Sequence, residues 1–154
     1  MGGGVRIGVL ADTHGALPAA ALEALEGVSL ILHAGDVGCE GVLFELQTIA
    51  PVIAVRGNTD PVFPSWELPP VARTTCDGMS FFVVHAFSPR HDLPEPGIDV
   101  VVAGHTHLPA IMLLQWALLV NPGSVSRNRT PDRRGTVAVV HRVGERPTAE
   151  IIVL

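Results

Sequence analysis

The sequence predicts an α/β fold built around a parallel sheet, and two features of the chain support that prediction. Apolar runs that favour β-strands alternate with helix-forming stretches over residues 5–55, in the order strand, helix, strand, helix, strand, which is typical of parallel sheets. Side chains that can bind metal ions follow these strands directly. Because ligands collect beyond the carboxyl ends of parallel strands, the same stretches predict both the fold and the position of its site.

The first half of the chain supplies five predicted elements. Residues 5–10 form an apolar strand, and residues 19–26 contain strong helix formers. Residues 30–33 form the second strand, and residues 51–55 form the third. Between these two strands, residues 40–49 form a helix whose apolar side chains share one face.

Hairpins and short strands dominate the remainder. Residues 61–70 carry four prolines and predict a stiff surface loop, and residues 86–97 hold three prolines and leave room for little helix. Asp77-Gly78 lies between two apolar runs and is a strong hairpin signal. The strands predicted here cover residues 71–76, 79–84, 100–103, 111–115, 118–120, 136–142 and 148–153. Since no linker or repeat divides the chain, we expect a single domain over residues 1–154.

The run Gly104-His105-Thr106-His107 follows the apolar, β-branched strand at residues 100–103. Side chains at positions i and i+2 of an extended or turning backbone project on the same side, so His105 and His107 are expected to point into one space. Asp12 and His14 have the same spacing after the first strand. The complete set of candidate ligands at strand ends is Asp12, His14, Asp36, Asn58, His85, His105 and His107.

The composition excludes several classes of protein. The chain has 154 residues, 47% apolar and 16% charged, which indicates one globular unit and not a disordered chain. Its net charge of −5 gives no basic surface for long nucleic acid. A nucleotide or a short phosphodiester is compatible with this charge.

A cytoplasmic location is the expectation from the sequence. The longest apolar run, residues 111–120, contains Gln115 and is too short to span a membrane. The first residues do not have the layout of a signal peptide. Cys39 and Cys76 lack the spacing of a paired metal site, so we expect both to be buried thiols in a reducing compartment.

The candidate ligands indicate a transition-metal site. Carboxylates combined with imidazoles suit Mn, Fe, Zn, Ni or Co better than Mg or Ca. Seven ligands are too many for one ion that leaves room for a substrate, so they favour two ions joined by a bridging carboxylate. Two dications and two carboxylates leave a charge of about +2, which fits an anionic phosphate ester. Ions roughly 3.5–4 Å apart can clamp the oxygens of an in-line displacement at phosphorus.

Five motifs in order resemble the calcineurin-like metallophosphoesterase family. They are Asp-Thr-His-Gly, Gly-Asp-Val, Gly-Asn-Thr-Asp, His85 after a strand, and Gly-His-Thr-His. The turn Asn121-Pro122-Gly123-Ser124 is similar to the turn that follows the last of these motifs in the family. The resemblance covers nearly the whole chain and points to the small single-domain bacterial and archaeal phosphodiesterases.

The resemblance implies a four-layer αββα sandwich and a metal-dependent phosphodiesterase with a dinuclear centre and a bridging hydroxide nucleophile. It assigns Asp12, His14 and His107 to the first metal. It assigns Asn58, His85 and His105 to the second metal, with Asp36 as the bridge. Among these, Asp36, Asn58 and His85 are the expected catalytic residues, and Asn58, His85 and Thr59 are expected to contact the substrate.

The cofactors implied are two divalent transition metals, with manganese expected and Ni, Zn, Fe or Co as alternatives. The expected partner is a small-molecule phosphodiester, with no membrane and no long nucleic acid. Small members of the family often self-associate, so a homo-oligomer is also implied.

Two positions depart from the wider family. Many members have a histidine directly after the metal-binding asparagine, where this chain has Thr59. No general acid is therefore evident, and we expect a preference for good leaving groups such as aryl esters. Relatives usually have Gly-His after the strand histidine, where this chain has Ala86-Phe87.

Two other functions remain open at this stage. A eukaryotic retromer subunit with the same fold is a protein-interaction scaffold with a degraded site, so a catalytically weak or inactive metal-binding scaffold is one alternative. Larger relatives are nucleases, which is the other alternative. Retention of all seven ligand types favours an enzyme over a scaffold, and the acidic balance disfavours a nuclease. Among neighbouring residues, Asp60 is expected to fix the Asn58 loop, His33 to pack behind the site, and Arg56 and Arg127 either to contact phosphate or to be solvated.

Overall fold

Two five-stranded sheets lie face to face in the computed structural model, which describes residues 4–61 and 66–154. The predicted loop at residues 61–70 therefore lies partly outside the described residues. The strands and helices, in chain order, are β1 (Arg6–Leu10), α1 (Ala19–Ala24), β2 (Leu30–His33), α2 (Glu40–Gln47), β3 (Val52–Ala54), β4 (Val71–Cys76), β5 (Met79–Val84), β6 (Val100–Val102), β7 (Ala110–Leu114), β8 (Ala117–Asn121), β9 (Thr136–Val143) and β10 (Arg146–Val153).

The first sheet contains the predicted alternation of strands and helices. Its strand order is β10-β9-β1-β2-β3, and β1, β2 and β3 pair in parallel as the sequence predicted. The hairpin of β9 and β10 adds to the free side of β1 in antiparallel register. Leu10 and Ile31 point outward from this sheet and pack on Leu25 and Leu46 of the helical layer, so α1 and α2 cover one face.

The second sheet has the order β4-β5-β6-β8-β7. Strands β5, β6 and β8 pair in parallel, while β4 and β7 pair antiparallel at the two edges. Side chains alternate along β5, so that Phe81 and Val83 are fully buried between the sheets while Phe82 and Val84 face outward. Parallel strands of both sheets end near the same edge of the sandwich, where the residues after β5 and β6 contact those after β1 and β2.

The predicted α/β class and its two packed sheets are confirmed, with the two helices of the described residues on the first sheet. Over the outer face of the second sheet, the described residues contain the loop at 86–97 and no helix, as its prolines indicated. Phe87 from this loop packs against the buried cluster that includes Val101 and Leu119. The covering layer does not reach β7, where the Leu113 side chain is 76% exposed.

Two further expectations have different outcomes. Among the described residues, neither α1 nor α2 has the length and apolarity needed to cross a membrane. The expectation of two buried thiols is wrong for Cys39, which is exposed at the start of α2 beside the loop after β1, while Cys76 is partly buried. Cys39 is exposed because it lies at the start of α2, next to the loop after β1, and not within a buried strand.

Candidate metal centre

The seven candidate ligands lie at strand ends of both sheets. Asp12 and His14 follow β1, Asp36 follows β2 and Asn58 follows β3. His85 follows β5, and His105 and His107 follow β6. One contact joins the two sheets directly, since the backbone N–H of His105 donates to Asp12 Oδ2 at 3.0 Å. The structure thus brings together residues that the sequence placed at separate strand ends.

Five of these residues adopt a left-handed backbone conformation. Asp12, His14, Asp36, His105 and His107 have φ between +47° and +74°. Positive φ is uncommon outside glycine, and such strain, on the order of 1 kcal/mol or more for each residue, clusters at functional sites. Strained turns therefore follow β1, β2 and β6 where these strands meet the cluster.

Two carboxylates occupy the middle of the cluster. Asp12 Oδ1 lies 3.5 Å from His107 Nε2, 3.9 Å from His14 Nε2 and 4.0 Å from His85 Nε2. Asp36 Oδ2 lies 3.8 Å from His14 Nε2 and 3.4 Å from His85 Nε2. Both carboxylates are therefore placed between a His14–His107 pair and the imidazole of His85.

A second group of atoms meets on the opposite side of these carboxylates. His85 Nε2 lies 2.9 Å from Asn58 Oδ1 and 3.2 Å from His105 Nδ1, and Asn58 Oδ1 lies 3.2 Å from His105 Nδ1. Ring centroids are 5.0 Å apart for His85 and His105 and 5.5 Å apart for His14 and His107. The cluster thus divides into two halves with the carboxylates between them.

The orientation of His85 suits a metal ligand. Its Nδ1 donates to the backbone carbonyl of Ala34 at 2.8 Å, which leaves the lone pair of Nε2 directed at the cluster. A backbone partner of this kind commonly fixes the tautomer of a metal-binding histidine. Gly35 permits the approach, because a Cβ there would lie 2.7 Å from His85 Nδ1.

An unsatisfied oxygen indicates that the cluster fits a cation. Asp12 is fully buried, and its Oδ1 has no hydrogen-bond donor among the described residues although three imidazoles face it. A buried carboxylate oxygen without a partner is costly unless a positive charge compensates it. Groups with the spacing of a metal site are Asp12, His14 and His107, and also Asp12, Asp36 and His85.

The two carboxylates differ in their electrostatics. Burial raises the pKa of Asp12 above its ordinary value of 3.8, against the lowering effects of the His105 N–H and the neighbouring imidazoles. Burial would also raise the pKa of Asp36, but hydrogen bonds from Thr59 and the charges of His85 and His14 outweigh it and lower that pKa. Asp36 Oδ1 accepts the Thr59 N–H at 2.9 Å. Thr59 therefore holds Asp36 as a carboxylate.

Asp60 fixes the loops beneath the cluster, as expected from the sequence. Its two carboxylate oxygens accept the backbone N–H groups of Gly57 at 2.9 Å, Val37 at 3.1 Å and Gly38 at 3.0 Å. Asp60 thereby joins the Asn58 loop to the segment that follows Asp36. Gly57 is equally constrained, because a Cβ there would lie only 2.1 Å from Asp36 Oδ1.

His33 is fully buried behind the cluster and does not reach it. Its Nδ1 accepts the Gly35 N–H at 3.1 Å, and its Nε2 lies 3.0 Å from Thr13 Oγ1. The Thr13 hydroxyl donates to Val37 O at 2.7 Å, so it accepts from His33 Nε2–H. The packing role expected for His33 agrees with these contacts.

Asn121 and Ser124 support the loops that carry candidate ligands, whereas the sequence predicted only a turn at these positions. Asn121 Nδ2 donates to Gly104 O and to Thr106 Oγ1, both at 3.1 Å, and so holds the loop between His105 and His107. Ser124 Oγ donates to the Asp12 backbone carbonyl at 2.9 Å. The Asn-Pro-Gly-Ser motif was the available signal, but it did not reveal which loops the two side chains support.

Comparison with known proteins identifies the family of the chain. The family model for the calcineurin-like phosphoesterase superfamily domain matches residues 5–144. A probable metallophosphoesterase of Methanothermobacter thermautotrophicus is 38% identical over 159 residues, covering 95% of this chain and 91% of that protein. A phosphodiesterase of Methanocaldococcus jannaschii is 29% identical, covering 77% of this chain and 83% of that protein.

A solved structure of an archaeal phosphodiesterase is also similar. It superposes with a TM-score of 0.77 at 25% identity and covers 97% of this chain and 100% of that chain. The resemblance inferred from the five motifs is thereby confirmed. Motifs, fold and similarities agree, and the chain belongs to the calcineurin-like phosphoesterase superfamily.

Proposed function

We propose that this protein is a metal-dependent phosphodiesterase with a dinuclear centre. One observation carries the proposal: two buried carboxylates lie between two histidine pairs, and one carboxylate oxygen has no other partner among the described residues. This donor set fits two divalent transition metals. Membership of a family of phosphoesterases and a relative named as a phosphodiesterase support hydrolysis of a phosphoester.

The ligands divide between two ions in this proposal. Asp12, His14 and His107 hold the first ion, and Asn58, His85 and His105 hold the second. Asp36 would serve both ions, as the family resemblance implies, and its Oδ2 faces a histidine of each half. When bound, the two ions would supply a hydroxide nucleophile near neutral pH and offset the negative charge of the phosphoryl group.

The chain itself positions and polarises the reactants. Exposed Asn58, His105 and Thr59 form the solvent side of the cluster, where a phosphoryl group can reach it. Thr59 N–H keeps Asp36 ionised and oriented. The Thr59 hydroxyl does not titrate in the range of a general acid, so protonation of the leaving group falls to solvent. This supports a preference for aryl esters.

A scaffold without catalytic activity is the less supported function. The unsatisfied buried oxygen of Asp12 supports a bound cation in either function, and the relative named as a phosphodiesterase favours the enzyme. Strained turns at five of the candidate ligands carry a further cost that a metal site would offset.

Metal-dependent hydrolysis tests the proposal. Bis-p-nitrophenyl phosphate and p-nitrophenyl phosphate are offered to metal-stripped protein reloaded with Mn, Ni, Zn, Fe, Co or Mg. We expect diester cleavage to be greatest with Mn and lowest with Mg, and Asp36→Asn to lower kcat/KM on the order of 100-fold or more.

Asp77→Asn is a matched control for this substitution. It makes the same chemical change at another aspartate with left-handed backbone, φ +51° compared with +54° at Asp36, in the hairpin turn at the other end of β5. Activity retained in this control and lost in Asp36→Asn would support the site. Two bound ions per chain without turnover of either ester under any metal would refute the enzyme and favour the scaffold.

A further inference from the structure

An open cleft of about 770 Å³ adjoins the candidate metal centre. His107 forms part of its wall, and the loop at residues 126–133 forms most of the rest. Because His107 Nε2 also lies 3.5 Å from Asp12 Oδ1, the cleft opens directly beside the metal-binding cluster. A substrate held at the cluster can therefore extend into this space.

The cleft is basic although the chain as a whole is acidic. Four of the ten arginines of the chain lie within residues 126–134, and three of these line the cleft: Arg127, Arg129 and Arg133. All three are exposed, and in the described part of the chain no carboxylate pairs with them, unlike Arg73 and Arg142 elsewhere. The single acidic residue of the loop, Asp132, instead accepts hydrogen bonds from Thr130 Oγ1 and the Arg134 N–H.

Buried hydrogen bonds hold the arginine loop in place. Asn128 is buried, and its side chain accepts the Ser124 N–H at 2.6 Å and donates to Arg134 O and Thr136 Oγ1, both at 2.8 Å. The backbone N–H of Arg129 donates to His107 O at 2.9 Å. The loop backbone is thus attached both to β9 and to a candidate metal ligand, which places the attachment points of the three arginine side chains beside the cluster.

We propose that Arg127, Arg129 and Arg133 form a subsite for a second phosphate group of the substrate. The inference rests on the proposed function, since it places the scissile phosphodiester at the metal centre and a further phosphate in the cleft. Guanidinium groups without carboxylate partners are suited to phosphate. The substrate class is accordingly a small phosphodiester that carries at least one additional phosphate.

A matched pair of substrates measures this preference. Thymidine 5′-(p-nitrophenyl phosphate) and its 3′-phosphorylated form share the nucleoside and the leaving group and differ by one phosphate. We expect wild-type enzyme to have a higher kcat/KM for the 3′-phosphorylated form, mainly through KM. Each substitution of Arg127, Arg129 or Arg133 by Gln should lower the ratio of the two kcat/KM values about fivefold. Added salt should lower the ratio as well.

The control substitution is Arg146→Gln. Arg146 is an exposed arginine at the opposite end of the sandwich, where β10 begins, and it should leave both kcat/KM values unchanged. Binding of thymidine 3′,5′-bisphosphate to the metal-loaded protein, followed by calorimetry, gives a readout that does not depend on turnover. The three cleft substitutions should weaken this binding more than they weaken binding of thymidine 5′-monophosphate.

The results separate this inference from the proposed function. Turnover of both substrates with a ratio near one, unchanged by the three substitutions, would overturn the subsite and leave the phosphodiesterase standing. Absence of turnover together with arginine-dependent binding of the bisphosphate would refute the proposed function and retain an anion site. Bisphosphate affinity that none of the three substitutions alters would overturn the subsite whatever the activity.

Discussion

The stability of the metal-free protein should depend on pH through His33. Burial lowers the pKa of this imidazole from 6.5 to about 4, in keeping with its contacts: Nδ1 accepts the Gly35 N–H and Nε2–H donates to Thr13 Oγ1. Protonation of Nδ1 would place its N–H against the Gly35 N–H, so two donors would face each other in a fully buried site. The neutral form alone fits the folded protein.

The sign and size of the effect follow from linkage. The unfolded chain binds a proton at His33 near pH 6.5 and the folded chain only near pH 4, so stability is fully present above pH 6.5 and is lost as the pH falls towards 4. Each pKa unit corresponds to about 1.4 kcal/mol, which gives a loss of about 2 kcal/mol by pH 5 and about 3 kcal/mol near pH 4.

Urea unfolding followed by circular dichroism measures this loss. EDTA-treated wild-type protein and His33→Gln are compared between pH 7 and pH 4, because glutamine has a similar hydrogen-bonding capacity but does not titrate. The difference in unfolding free energy between the two proteins should shift in favour of the variant by about 2 kcal/mol from pH 7 to pH 5. A difference that stays constant over this range would refute the assignment of His33 as a buried neutral imidazole.

Four other results are expected. Gly57→Ala should lower the metal content and reduce activity on the order of 100-fold, since the new Cβ would lie 2.1 Å from Asp36 Oδ1; two ions per chain by elemental analysis with full activity would contradict this. Asp12→Asn should weaken metal binding but raise the urea midpoint of the EDTA-treated protein at pH 7. Burial raises the pKa of Asp12, so the ionised carboxylate destabilises the folded state above that pKa, and a lower midpoint would argue against this reasoning. Since Thr59 provides no general acid, aryl diesters should be cleaved 10²–10⁴-fold faster than alkyl diesters of equal charge, and comparable rates would disprove this. The protein should self-associate through the apolar edge strand β7, and Leu113→Glu should abolish this association in light scattering, because this side chain is 76% exposed at a sheet edge. A monomeric wild-type protein, or a variant that still associates, would refute it.

Local sequence patterns were sufficient for much of the fold. The boundaries of β2, β4 and β5 agree with the predicted ones, because the apolar runs there are bounded by clear turn residues such as Asp77-Gly78. The helix predicted at residues 19–26 ends earlier, at Ala24, and the chain then turns towards Gly27 at φ +81°. Helix formers alone do not indicate where the backbone must turn to enter the next strand.

The sequence by itself determined which residue types follow each strand, and hence the chemistry and family of the site. Parallel pairing requires neighbouring strands to end at one edge, so Asp12 and Asp36 could be expected to meet. Only the tertiary structure decided how the two sheets face each other. It brings the His105 N–H to Asp12 across 93 residues and Ser124 Oγ to the Asp12 carbonyl across 112.

The arginine cleft was likewise decided by the tertiary structure. The sequence left two roles open for Arg127, contact with phosphate or simple solvation. Nothing local indicated that Asn128 is buried and fixes the loop beside His107. The same limit applies to the exposure of Cys39. Hydrophobic periodicity and turn signals describe only a few neighbouring residues. The placement of a loop depends on contacts with segments that are distant in sequence, and no local pattern predicts those contacts.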